Sequence, residues 1–291
     1  MAHASPASPS AAALVDGFSL EMTGKDVAGL HEARAIIPRG TKINVTFLGN
    51  EDLEMRVAAA RAVKESGFVP VPHISARRLE SAAQLEEFLG RLHEVGATEH
   101  VFAVGGDPAD PAGPYPDALS LIQSGLLQQY GVREVSIAGY PEGHPDITDD
   151  VLWRHLDEKA LALAQQGLDA VILTQFAFDT APVIDWIAAV RDRSIDAPIR
   201  VGTPGPAGIK RLMAFARRFG VGANAMIVKK YGFSLTNLMG TAGPDRFVSD
   251  LAEQLPAAST VKLHLYTFGG LLATAQWARE FVAAEYSGAV Q

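Results

Sequence analysis

The chain has 291 residues, with 25 Lys and Arg against 33 Asp and Glu, and its formal net charge of −8 argues against a nucleic-acid-binding protein, because phosphate backbones bind to basic surfaces. It has no cysteine, which excludes disulfides, thiolate zinc sites, iron–sulfur clusters and a cysteine nucleophile. No apolar run reaches the ~18 residues that a membrane span requires, and a cytoplasmic protein with no membrane partner is the simplest expectation.

Residues 1–13, MAHASPASPSAAA, are small and of low complexity. They lack the basic start and long apolar core of a signal peptide, so we expect a disordered tail. Residues 14–291 are expected to form one catalytic domain, because proline and glycine occur as single turn signals rather than as a clustered linker.

Short, mostly apolar runs predict buried parallel strands, and longer amphipathic segments between them predict helices. One helical segment begins at Ser81, which has capping-box spacing to Gln84. Another is predicted over residues 117–129. The predicted strands are 17–21, 43–47, 68–74, 100–104, 134–138, 170–175, 199–203 and 262–267.

Eight strand–helix pairs in one chain predict an α/β fold, a single closed (β/α)8 TIM barrel. An open sheet with a helical cap domain is the alternative, although no GxGxxG follows the first strand. The long interval between the seventh and eighth strands, residues 204–261, predicts extra helices near 223–239 and 245–255.

Polar or glycine-rich residues follow every predicted strand, at the end where such barrels carry their chemistry. Gln175 is the most informative of them, because burying an amide without a partner costs roughly 1–3 kcal/mol, so we expect it to face a polar pocket. The strand ends carry Glu21, Thr46, His73, 105–107, 140–145, Gln175, 203–205 and Tyr266.

A metal site is the first chemistry to consider at these ends. His73, Asp107, Glu142 and His144 have suitable donor atoms. No HxH or HExxH spacing supports such a site, so we predict no metal, and a metal-dependent lyase or hydrolase using His73, Asp107 and His144 remains an alternative.

The glycines at 105–106 allow backbone to approach a flat ring or a phosphate. This arrangement favours an organic cofactor that carries the chemistry, with the protein positioning it and supplying one acid.

The motifs resemble those of the methylenetetrahydrofolate reductase family, which are flavin-dependent barrels. The most specific are YPEGHP at 140–145 and TQFAFD at 174–179, supported by FSLE at 18–21, VT at 45–46, PHISAR at 72–77, GGD at 105–107 and HLYT at 264–267. The resemblance extends from about residue 17 to 283. It implies reduction of 5,10-methylenetetrahydrofolate to 5-methyltetrahydrofolate, or the reverse, with NADH or NADPH as co-substrate through bound FAD in a ping-pong reaction.

The resemblance also implies residue roles. Glu21 matches the general acid that helps to open the imidazolidine ring of the folate, and Asp107 matches an aspartate near both flavin and folate. Gln175, Phe178 and Tyr266 match the substrate side. The positions that match the FAD site are Thr46, His73, Gly106, Asp107, Tyr115, Tyr140 and His144.

Three departures from the family pattern remove cations. Gly105 stands where the family often has Arg, and 269–270 are glycines where it often has Asn–Arg. A basic pair before the turn into strand six is absent, and Lys159 is the expected substitute. Because a charge-assisted contact is worth roughly 1.5–3 kcal/mol, weaker FAD binding is expected.

Two further alternatives follow from these departures. A flavin-independent reductase would take hydride directly from NADH. A non-catalytic folate-binding subunit is the other, although the retained Glu21 and Gln175 argue against it. The resemblance also implies a homo-oligomer, without giving its size.

Overall fold

A computed structural model describes residues 9–218, 241–256 and 259–288. Eight parallel strands close into a barrel in the order β1–β10–β7–β6–β5–β4–β3–β2, which confirms the predicted (β/α)8 barrel. The barrel strands are β1 (Ser19–Met22), β2 (Lys42–Val45), β3 (Val69–Ser75), β4 (His100–Val104), β5 (Glu134–Gly139), β6 (Asp169–Phe176), β7 (Ile199–Pro204) and β10 (Val261–Tyr266). Two short strands, β8 (Ala207–Gly208) and β9 (Thr241–Ala242), pair antiparallel outside it.

Helices surround this barrel. Within the described residues, none is long and apolar enough to cross a membrane. The helices are α1 (Ala11–Val15), α2 (Val27–Ala33), α3 (Leu53–Glu65), α4 (Ala82–Glu94), α5 (Ala118–Ile122), α6 (Leu126–Gln129), α7 (Asp149–Gln165), α8 (Thr180–Asp192), α9 (Ile209–Arg218), α10 (Asp245–Gln254) and α11 (Leu271–Gly288), with 3-10 turns at Gly24–Asp26 and Ala76–Arg78.

Sequence signals account for several helix ends. Ser81 caps α4 as predicted, its hydroxyl accepting a hydrogen bond from the Gln84 amide at 3.1 Å. Helix α10 confirms the extra helix predicted near 245–255, between the last two barrel strands. The helix predicted near 223–239 lies outside the described residues.

The single helix predicted over 117–129 is wrong. The segment forms two helices, α5 and α6, because Gly125 between them has a φ of +73°. That left-handed conformation cannot continue a right-handed helix, so the chain turns there.

The predicted boundary of the disordered tail at residue 13 also needs correction. Residues 11–13 belong to α1, which Ser10 caps by accepting a hydrogen bond from the Ala13 amide. Lys262 at the start of β10 donates to the Ala13 carbonyl at 2.7 Å. Helix α1 also packs against α10 and α11, so tertiary contacts order a segment whose composition alone indicates disorder.

The hydrophobic core has two parts that matter for the site. A large cluster lies between the barrel and its helices. A smaller one joins Phe176 and Phe178, at the carboxyl end of β6, to Leu212 and Ala216 of α9. Helix α9 is thereby fixed over the carboxyl ends of the barrel strands, which, with the residues directly after them, we call the mouth.

Candidate active site

Glu21 lies in the mouth beside the last barrel strand. In the register of β1 and β10, Ser19 pairs with His264. Because side chains alternate along a strand, Ser19 and Glu21 share one face of β1, and His264 and Tyr266 share one face of β10. The Glu21 Oε2 atom lies 3.9 Å from His264 Nε2, and His264 Nδ1 lies 2.9 Å from Ser19 Oγ. The side chain of His264 therefore lies between those of Ser19 and Glu21.

His264 is fully buried, and its Nε2 atom has no hydrogen-bond partner among the described residues. Burial lowers the pKa of His264, although the nearby Glu21 opposes the shift. The pKa of His73 is lowered to about 4, mainly by burial, with Glu21 opposing and His264 adding to the shift. Glu21 therefore faces two imidazole rings that are uncharged at neutral pH.

Tyr266 forms part of the wall above His264. Its hydroxyl donates to the Thr174 carbonyl at 3.1 Å, and its ring meets His264 edge-on at 4.8 Å. Burial raises the pKa of Tyr266 well above its ordinary value, with Glu21 adding to the shift. A Cβ at Gly202 would lie 2.8 Å from the Tyr266 ring, so a glycine is needed there for this packing.

Gln175 and Phe178 follow at the end of β6. An irregularity in the pairing of β6 with β7 falls between Leu173 and Phe176, next to Gln175. Bulges of this kind redirect side chains near active sites. The Gln175 Oε1 atom accepts a hydrogen bond from the Phe176 amide at 3.0 Å, and Phe178 packs edge-on against Phe176 at 5.8 Å.

The opposite side of the mouth carries buried polar atoms without partners. The Thr46 and Ser75 hydroxyls make no hydrogen bond among the described residues. A Cβ at Gly106, whose φ is +96°, would lie 2.2 Å from Ser75 Oγ. His73 Nε2 lies 3.3 Å from Asn44 Oδ1. Because unsatisfied buried hydroxyls are costly, this corner has the composition of a binding site for a polar ligand.

Asp107 lies at the rim rather than inside the barrel. Its side chain is 76% exposed, and Arg78 donates to it with Nη2 at 2.6 Å and Nε at 3.1 Å. An exposed pair of this kind contributes little to stability. It fixes the direction of a carboxylate at the edge of the mouth.

Tyr140 and His144 lie together after β5, with their rings edge-to-face at 5.4 Å. Burial raises the pKa of Tyr140. The His144 Nδ1 atom accepts a hydrogen bond from the Asp146 amide at 3.1 Å. A cavity of about 20 Å3 behind Tyr140 is bounded by the stacked rings of Trp153 and Trp186 and has room for about one water.

Two predicted cofactor residues lie away from the strand ends, Tyr115 in the loop before α5 and Lys159 on α7. Tyr115 belongs to the large core cluster, and burial raises its pKa, with Glu86 adding to the shift. Lys159 is buried on α7, which packs against α5. Burial lowers the pKa of Lys159 to about 8, with Asp117 opposing. Among the described residues, no hydrogen bond or ion pair links either side chain to the mouth.

The three residues of the alternative metal site do not converge in the described part of the chain. There, no three His, Asp or Glu side chains are grouped as metal ligands. A cavity of about 1100 Å3 lies at the other end of the barrel, where Glu134, Asp169 and Pro198 begin or precede strands. It is remote from the polar strand ends.

A sequence profile of the methylenetetrahydrofolate reductase family matches residues 28–271. Methylenetetrahydrofolate reductase (NADH) 1 of Arabidopsis thaliana is 26% identical over 198 residues, which cover 58% of this chain and 31% of that protein. The 5,10-methylenetetrahydrofolate reductase of Pectobacterium carotovorum subsp. carotovorum is 28% identical over 179 residues, covering 60% and 57%. Dihydropteroate synthase of Thermus thermophilus superposes with a TM-score of 0.49 and 15% identity, covering 92% and 95% of the two chains. The matched region spans about a third of the plant relative's length and just over half of the bacterial one's.

Proposed function

The chain belongs to the methylenetetrahydrofolate reductase family, and we propose that it interconverts 5,10-methylenetetrahydrofolate and 5-methyltetrahydrofolate with NADH or NADPH. One observation of the site carries the proposal. Glu21 lies in the mouth, where its carboxyl faces the uncharged imidazole of His264. A proton donor of this kind is what the reaction requires.

Reduction of the folate begins with opening of its five-membered ring. A proton goes to the nitrogen that leaves the bridging carbon, the carbon–nitrogen bond breaks, and a cationic iminium remains to accept hydride. In this proposal Glu21 donates the proton, and its carboxylate then stabilises the cation. The lowered pKa of His264 keeps its ring neutral, so no imidazolium lies beside the iminium cation.

The rest of the mouth would bind and orient the folate. Tyr266 and Phe176 present an aromatic wall, their rings 5.4 Å apart, against which a pterin can pack. Gln175 and Asp107 are the polar groups that we assign to the pterin edge. Exclusion of water by the aromatic rings would strengthen the interaction between Glu21 and the iminium.

We propose FAD as the hydride carrier. The unpartnered hydroxyls of Thr46 and Ser75, and the close approach that Gly106 permits, fit the edge of a flat, polar ring. His73, Tyr140 and His144 would complete this side. FAD, when bound, would pass hydride from NAD(P)H to the folate in two half-reactions at the same mouth. Tyr115 and Lys159 remain assigned to FAD only through the family resemblance.

The positions of Lys159 and Arg78 favour a second candidate, which is direct hydride transfer from NADH without flavin. Lys159, the expected phosphate ligand, lies in the helix layer beside Asp117. Arg78 at the rim is engaged by Asp107. Both of these cations therefore already have an acidic neighbour.

Absorbance of the purified protein, followed by assays of nicotinamide oxidation, tests both candidates. Stoichiometric flavin bands, with NADH or NADPH oxidised by menadione in the absence of folate, would support the FAD mechanism. Colourless protein that oxidises NADH only when methylenetetrahydrofolate is present would support direct transfer. Absence of folate turnover with either nucleotide, with and without added FAD, would refute the proposed activity.

A further inference from the structure

The rim above Glu21 carries an anchored arginine that the mechanism leaves unused. Thr267 follows β10 and donates from its hydroxyl to the Glu21 carbonyl at 2.6 Å. The carbonyl of the next residue, Phe268, accepts a hydrogen bond from Arg211 Nη1 at 2.7 Å. Two successive residues therefore connect the backbone of Glu21 to the guanidinium of Arg211 on α9.

Aromatic packing fixes the helix that carries this arginine. The Phe215 ring, one turn after Arg211, lies parallel to Phe268 with centroids 3.9 Å apart and planes at 4°. Phe268 also meets Phe176 edge-on at 5.3 Å. Leu212 and Ala216, on the same helix, are fully buried. The guanidinium is thus held at one place above the mouth. The rings of Phe268 and Phe176 lead from there to Tyr266, where we place the pterin.

Helix stability does not explain a cation at this position. Lys210 and Arg211 occupy the first turn of α9, which contains no acidic residue. The N-terminus of a helix already carries partial positive charge, so basic residues there are unfavourable for the helix. Arg211 is exposed and forms no ion pair with any described residue. A bound anion would reverse this unfavourable electrostatics.

Arginines on the other side of the mouth are engaged differently. Arg78 pairs with Asp107, and Arg77 donates to backbone carbonyls, including that of Pro116 at 2.7 Å. Their donors hold the loop after β4. Arg211 donates one hydrogen bond to the Phe268 carbonyl, and its remaining N–H groups can bind a second partner.

We propose that Arg211 binds the glutamyl carboxylates of the folate substrate and thereby selects folates that carry this tail. The proposal rests on the proposed function. With the pterin beside Glu21, the aminobenzoyl ring would cross Phe176 and Phe268, and the tail would emerge under α9. A guanidinium fork matches a carboxylate in geometry and charge. Arg211 is therefore a specificity-determining residue and takes no part in proton transfer.

Substrates with and without the tail test this assignment. Arg211→Gln is expected to raise the KM for methylenetetrahydrofolate about 10-fold or more, as loss of a charge-assisted contact predicts. The KM for methylenetetrahydropteroate, which lacks the glutamate, and the KM for NADH should not change. Arg211→Lys should recover part of the difference. Arg217→Gln on the same helix is the matched control, because Arg217 bonds only to the Met213 carbonyl among described residues.

Equal effects of Arg211→Gln on both pteridine substrates, or no effect on either, would overturn the assignment. Circular dichroism and the thermal midpoint would show whether α9 is intact in the variant. Equilibrium binding of 5-methyltetrahydrofolate and its tail-less analogue separates this proposal from the proposed function. If the protein showed no turnover but bound the folate with its tail more tightly than the analogue, and Arg211→Gln abolished that difference, the tail site would stand. The proposed reductase activity would then be refuted.

Discussion

The Glu21 carboxylate lies 3.9 Å from His264 Nε2, and Nδ1 of the same ring lies 2.9 Å from the Ser19 hydroxyl. When Ser19 donates to Nδ1, Nε2 carries the ring hydrogen and faces Glu21. Because burial lowers the pKa of His264, this contact involves a neutral imidazole. The neutral ring therefore lies beside the carboxyl without placing a cation next to it.

Replacing the proposed acid should separate the two halves of the reaction. We expect Glu21→Gln to lower folate reduction by about 100-fold or more, the usual contribution of a general acid. NAD(P)H oxidation by menadione should persist if FAD is bound, because that half-reaction needs no proton delivery to a folate nitrogen. Steady-state kinetics of both reactions provide the measurement, with exposed Glu94→Gln as control. Equal loss of both activities would count against the assigned role.

Replacing His264 tests the orientation of Glu21. His264→Gln keeps a donor near the carboxylate, whereas His264→Ala removes it and leaves a cavity in a fully buried position. We expect kcat for folate reduction to fall by about 10-fold in the first variant and further in the second. The KM for NADH should stay constant in both. Ser19→Ala should have a smaller effect, since the ring keeps its contact with Glu21. An unchanged kcat in His264→Gln would show that the contact is incidental.

The sequence was sufficient to predict the barrel and most of the mouth, because both follow from strand periodicity. The eight apolar runs coincide with the eight barrel strands, and the polar residues at their carboxyl ends necessarily share one rim. Glu21, His73 and Tyr266 are brought together for this reason. The break at Gly125 was missed because a single glycine is tolerated in many helices.

A search for polar residues at strand ends does not find His264, because it lies inside β10 and resembles an ordinary strand residue. Its spacing of two from Tyr266, like that of Ser19 from Glu21, is the signal that would have placed it in the interior. The positions of Tyr115 and Lys159 depend on how helices pack around the barrel, and no local pattern encodes that packing.

Gly106 provides a test of the polar corner. Gly106→Ala would place a Cβ 2.2 Å from Ser75 Oγ at a φ of +96°, so we expect it to lower the free energy of unfolding by about 1–3 kcal/mol and to weaken ligand binding. Gly105→Ala is the matched control, because its Cβ would meet nothing within 4 Å and its φ is not positive. Adding Ser75→Ala should recover only the part due to the contact. Urea unfolding gives the comparison, and equal stability of the two single variants would contradict the expected steric conflict.

An ion pair at the other end of the barrel is expected to make the stability of the fold depend on pH in the acid range. Glu134 Oε1 lies 2.6 Å from Lys42 Nζ and 3.3 Å from His100 Nδ1. Burial alone would raise the pKa of Glu134, but its contacts with His100 and Lys42 outweigh burial and lower the pKa to about 2. In the unfolded chain the carboxyl has its ordinary pKa. The pair therefore stabilises the fold fully above about pH 4.5, and this contribution is lost as the pH falls towards 2.

We expect Glu134→Gln to destabilise the protein by about 3 kcal/mol at pH 7, since Lys42 loses its partner in a partly buried site. The difference from the unmodified protein should shrink as the pH falls from about 4.5 towards 2. His73, whose pKa is lowered to about 4, makes both proteins less stable between pH 6.5 and 4, so the difference between their curves isolates Glu134. Glu99→Gln should have little effect, because its contact with Arg133 is exposed. Urea unfolding across this pH range would contradict the assignment if the difference between Glu134→Gln and the unmodified protein did not vary with pH.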